Sequence, residues 1–68
     1  MINLTKKQEE FIRNNLKNPE HLISSDDVNE VLEALDGLML YEGFDKDEEP
    51  NARGIEIERI RDAVYANN

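Results

Sequence analysis

Apolar residues recur along this chain at helical spacing in three separate stretches. In the first, Leu4, Phe11, Ile12 and Leu16 share one side at about 100° per residue, with Gln8 and Asn15 between them. Lys6, Arg13 and Lys17 fall together on the opposite side. Thr5-Lys6-Lys7-Gln8 reads as a capping box, in which the Thr5 hydroxyl accepts from the N–H of Gln8 and the Gln8 side chain reaches back. Asn18-Pro19 ends this helix, because the residue before a proline is pushed out of the helical region. Pro19 then opens a short turn through Glu20, His21, Leu22 and Ile23.

The second stretch is the cleanest. Val28, Val31, Leu32, Leu35, Leu38 and Met39 occupy one arc of about 120°. Ser24-Ser25-Asp26-Asp27 supplies its start signal, with either serine as cap and the aspartates suited to the positive end of the helix dipole. Gly37 lies inside this helix at a cost of about 1 kcal/mol against alanine. Gly43 reads as a left-handed stop, with Phe44 folding back onto Met39. An acidic loop, Asp45 to Asn51, leads to a third helix with Ile57, Ile60 and Val64 as its buried stripe. Ile55 falls off that stripe, and Glu56 and Glu58 stand three residues before Arg59 and Arg61, a weakly favourable spacing. Residues 54–58 also alternate like a strand, but a strand without a partner is not stable, so helix is preferred. The pattern predicts an all-α, small three-helix bundle with helices over about 5–17, 25–42 and 52–66, and 1–68 as a single domain without repeats.

Composition narrows the functions open to such a bundle. At 68 residues there is no room for an internal active-site cleft, and a core this small leaves little stability to spare. With no cysteine, disulfides and thiolate metal sites are excluded. No apolar run approaches the roughly 20 residues that span a bilayer. The first seven residues run into charge and not into a signal-peptide core, so a cytoplasmic location is expected. The net charge of −8 argues against direct binding to nucleic acid or to anionic membrane. That charge is concentrated. Residues 1–19 carry +2, residues 51–68 sum to zero, and residues 20–50 hold eleven acids against the single base Lys46.

Two acidic features are candidates for chemistry. In the loop, Asp45, Asp47, Glu49, Asn51 and Glu56 fall at EF-hand calcium-loop positions 1, 3, 5, 7 and 12. Against calcium, Pro50 stands where that loop needs a glycine, Ala52 replaces the usual β-branched residue, and no second loop is present to pair with. On the second helix, Asp27, Glu30, Glu33 and Asp36 face away from the apolar arc, and no base lies between Pro19 and Phe44 to neutralise them. Such a stripe suits a protein partner with a basic surface, and it also suits a solvated face that keeps a small protein soluble. Leu40 and Tyr41 project on the same acid side, and tyrosine is a favoured binding anchor. The alternative is that the helix end curls under Phe44 and hides one of them. His21, the single histidine, lacks the companions that a catalytic or zinc site needs. Ser24 and Ser25 lack a base and read as caps. Lys6, Arg13 and Lys17 are too few for a nucleic-acid site but can pair with the acid stripe of a second copy.

The stretch from Leu32 to Asn68 resembles the tail of small proteins encoded by phages and prophages of Gram-positive bacteria. The resemblance rests on Leu35-Asp36, Gly43-Phe44-Asp45, Glu49, Asn51, Gly54, Asp62, Tyr65 and Asn68. It implies a small accessory protein of a mobile element. Leu4-Thr5-Lys6-Lys7-Gln8 and Phe11 also resemble the opening of phage terminase small subunits. That family continues into a basic helix-turn-helix, which this chain lacks, so its function is not carried over. The expectation is a non-enzymatic interaction module without a cofactor, docking through the second helix. A degenerate calcium-binding module and a structural homodimer are the alternatives.

Overall fold

The computed structural model describes residues 2–43 and 51–68. Four helices follow in order: α1 (Lys6–Asn15), α2 (Pro19–Ser24), α3 (Val28–Glu42) and α4 (Ala52–Ala66). No strand is present among the described residues, so 54–58 belongs to a helix. The fold is all-helical as expected, but the three-helix count needs correction. The extra element is α2, and backbone chemistry explains it. Leu16 is already extended at φ −112°, ψ 155°, and Asn18 is left-handed at φ 52°, ψ 50°, a conformation asparagine tolerates. The chain therefore turns before Pro19, which takes the first helical position where its missing N–H is harmless. One helical turn then buries Leu22 and Ile23 together.

Local capping sets the other boundaries. The Thr5–Gln8 box forms as read: Oγ1 of Thr5 accepts from the Gln8 N–H at 3.2 Å, and Oε1 of Gln8 accepts from the Thr5 N–H at 2.9 Å. This satisfies Gln8, which is the buried polar side chain of α1. The serines do not cap α3. Ser24 bonds back to the Glu20 carbonyl at 2.7 Å, and Ser25 is the extended residue that ends α2. Asp27 caps α3 instead, accepting from the Asn29 N–H at 3.0 Å, so α3 starts at Val28 and not at residue 25.

The core joins all four helices. Ile12 comes from α1, Leu22 and Ile23 from α2, Val31, Leu32 and Leu35 from α3, and Ile57 and Val64 from α4. Leu35 is fully buried at the centre of the α3 arc, as its position predicts. Helices α3 and α4 make the most extensive packing, with α1 against α2 and α2 against α3. Arg53 adds a tie that the apolar pattern does not reveal. Its guanidinium lies 5.2 Å from the centre of the Phe11 ring and donates to the side-chain oxygen of Asn15, linking the start of α4 to α1.

The α3–α4 turn is pinned at its base. The Asn51 N–H donates to the Gly43 carbonyl at 2.9 Å, and its side-chain amide donates to the Glu42 carbonyl at 3.1 Å. Its Oδ1 accepts from the Gly54 N–H at 2.8 Å and so caps α4. Gly43 is right-handed, φ −86° and ψ −7°, and not the left-handed stop expected of it. Its need for glycine is steric. A Cβ there would lie 2.5 Å from the Met39 carbonyl oxygen and 3.1 Å from the Gly54 Cα, and one on Gly54 would overlap the Gly43 carbonyl. The two backbones touch, and no side chain fits between them. The expected contact of Phe44 with Met39 lies outside the described residues.

The body measures 38 × 22 × 18 Å. Its thinnest dimension is two helix layers at about 10 Å spacing, so every element reaches the surface. Any site must be external. No described helix is long and apolar enough to cross a membrane.

Candidate functional site on the outer face of helix three

With Leu35 and Val31 fixed inward, the 100° step carries Glu30, Glu33, Gly37, Leu40 and Tyr41 onto the outer face of α3. Leu40 is 78% exposed and Tyr41 91%. Neither is hidden by the helix end. The other large exposed apolar residues, Ile55 and Tyr65, sit ten positions apart on α4 and form no common patch.

The acid stripe is less uniform than the sequence suggests. The expectation that no base neutralises it fails at Asp36. Arg61 of α4 reaches across in a two-pronged contact, Nε to Oδ1 at 2.5 Å and Nη2 to Oδ2 at 3.3 Å. The Asp36 hydrogen bond, and then its charge, push the Arg61 guanidinium above its ordinary value, so it stays charged at any pH where the fold survives. Glu30 receives a hydrogen bond from His21 of α2, Nε2 to Oε2 at 2.7 Å, across an exposed surface. Asp27 is occupied as the α3 cap. Glu33 is exposed and makes no ion pair among the described residues. The stripe therefore divides. Asp36 faces α4, Glu30 leans on α2, and Glu33 stands between them toward solvent. The basic stripe is divided too. Arg13 pairs with Glu20 at 2.9 Å, which raises its pKa through the hydrogen bond and then the charge.

Two shallow grooves flank α3. One, of about 270 Å³, runs toward α4 over Leu35, Met39 and Ile57, with Asp36, Glu58, Arg61 and Asp62 around it. The Asp36–Arg61 pair belongs to this groove. The other, of about 560 Å³, lies between α3 and the end of α1. Its walls are Asn15, Leu16, Lys17, Ala34, Leu38 and Tyr41, and Gly37 leaves it open. No heavy atom lies within 4 Å of where a Gly37 Cβ would be. Sequence reasoning treated Gly37 as a cost and did not single it out. Its outward position could be read from the helical projection, but the groove beside it could not.

Of the five calcium candidates, Asp45, Asp47 and Glu49 lie outside the described residues, as does Pro50. Asn51 is committed to closing the α3–α4 turn, and Glu56 pairs with Arg53 at 2.5 Å. Among the described residues no three acids or histidines are grouped to hold a metal. Comparison of the chain with models of protein families, with curated proteins and with solved structures returns no match.

Proposed function

We propose that this chain is a non-enzymatic interaction module working in the cytoplasm, an accessory protein of the mobile-element kind its C-terminal half resembles. It docks on a protein with a basic surface through the outer face of α3. The observation that carries this reading is the pairing on one face of an unneutralised carboxylate, Glu33, with two large apolar side chains left in water, Leu40 and Tyr41. An exposed Leu alone is ordinary. Two adjacent ones beside an apolar groove, on a face carrying uncompensated negative charge, are what a partner surface requires. Asp27, Glu30 and Asp36 extend the negative field around it, although each also has an internal role.

The test is capture on immobilised protein at low and at high salt, with Glu30→Lys/Glu33→Lys as comparison. Folding should survive, since both sites lie on the surface and the His21 contact of Glu30 is worth little when exposed. The double reversal should slow association, and rising salt should weaken it. A captured protein that binds the reversed chain as well as wild type, or that ignores salt, contradicts the reading.

A further inference from the structure

Packing and polar ties divide the chain into two hairpins. α1 packs on α2, and α3 packs more broadly on α4, while α2 against α3 is the slighter seam and no other pair of helices packs as closely. The Arg13–Glu20 pair lies within the first hairpin and the Asp36–Arg61 pair within the second. Residues 25–27 join the two, and both Ser25 and Asp27 are extended. Two clasps to α4, one flanking each end of α1, close the first hairpin from its far side. We propose that the first hairpin, residues 2–24, is a latched lid over the apolar face of the second, and that it opens as a unit when these clasps release.

At the end of α4, the Asn68 side chain pairs with the Asn3 backbone as a neighbouring strand would. Its Oδ1 accepts from the Asn3 N–H at 2.8 Å, and its Nδ2 donates to the Asn3 carbonyl at 3.0 Å and to the Val64 carbonyl at 2.8 Å. The Asn3 side-chain amide donates to the Asn67 carbonyl at 3.3 Å. At the start of α4, Arg53 lies over the Phe11 ring and donates to Asn15. The Asn3–Asn68 bonds are exposed, as is the His21–Glu30 contact that also crosses between the hairpins, so water replaces them at small cost. Apolar burial is uneven too. The second hairpin supplies five of the eight core residues, and α1 supplies only Ile12, with Leu4, Phe11 and Leu16 partly buried against it. A ten-residue helix is marginal in water without neighbours, whereas α3 and α4 have fifteen residues each and keep one another's packing. Release therefore unravels the first hairpin before the second. The groove beside Tyr41 depends on the latch, because its walls come from both hairpins, and Asn15 is at once a groove wall and the acceptor of Arg53. The latch needs no docking partner, and its test uses none.

Backbone amide hydrogen exchange on the full chain, followed as urea is raised below the unfolding transition, reads the latch directly. In wild type the helical amides of α1 and α2 should exchange together, about tenfold or more faster than those at the centres of α3 and α4. Their exchange should also depend less steeply on urea, because opening one hairpin exposes less surface than unfolding the chain. Arg53→Met keeps a stem over Phe11 and removes the donor, and Asn68→Ala removes the other clasp. Together they should speed α1 and α2 exchange by about tenfold again. One rate and one urea dependence across all four helices would show a single cooperative unit and overturn the proposal. So would α1 exchanging fast while α2 keeps pace with α3 and α4, or a double variant whose α1 and α2 amides exchange as in wild type. The wild-type order decides the matter even where the double variant loses its fold.

Discussion

Helix α3 carries glycine at two places that differ in every physical respect. At its end, Gly43 meets Gly54 of α4, and the two backbones approach so closely that a methyl group on either would collide with main chain. In its outer face, Gly37 meets nothing. The first region is closed from within, by helix crossing, by the Asn51 hydrogen bonds and by the Leu35–Ile57 core. The second is open and is bordered by apolar side chains left in water. A residue whose helix cost is repaid inside the fold explains itself. One whose cost is not repaid there directs attention to what lies outside.

Substitutions can break this contrast in order of size. Leu35→Ala, at the centre of the closed region, should destabilise by about 2–5 kcal/mol, enough to unfold much of a domain this small, as thermal melting would read. A melting point within a degree or two of wild type would show that the core is assigned wrongly. Gly54→Ala should come next. Alanine gains about 1 kcal/mol of helix propensity, but the new methyl strikes the Gly43 carbonyl, which cannot swing away, and a net loss of about 1–3 kcal/mol is expected. Gly37→Ala should do the reverse, stabilising by about 1 kcal/mol, or about 4–8 °C in melting temperature for a chain of this size. If both glycine substitutions shifted stability in the same direction, the contrast would not hold. Arg61→Ala should be the smallest effect, at most about 1 kcal/mol by denaturant melting, because the pair it forms with Asp36 is solvent-exposed.

Much of the closed region was legible in the sequence. Ile12, Val31, Leu32, Leu35, Ile57 and Val64 follow from helical period, and Thr5–Gln8 follows from a four-residue rule, because in each the relevant neighbours lie within two turns. What escaped involves partners far apart. Arg61 and Asp36 are 25 residues apart, Arg53 and Asn15 are 38 apart, and no local pattern joins them. The reason for Gly43 escaped likewise, since a left-handed stop and a close helix crossing both ask for glycine and only the crossing angle decides. Helix α2 was half legible. Pro19 announced a turn, and burial of Leu22 with Ile23 turned it into a helix. On the outer face, the positions of Glu33, Leu40 and Tyr41 were readable from the projection, but the neutralisation of Asp36 and the groove at Gly37 were not.

The central claim is that the outer face of α3 is where this chain meets other molecules. Backbone amide chemical shifts, followed as a captured partner is added to isotope-labelled protein, address it residue by residue. Changes should concentrate at Glu30, Glu33, Gly37, Leu40 and Tyr41 and leave the exposed side of α4 around Ile55, Arg59 and Tyr65 unmoved. Changes centred on α4, with the α3 face silent, would contradict the account.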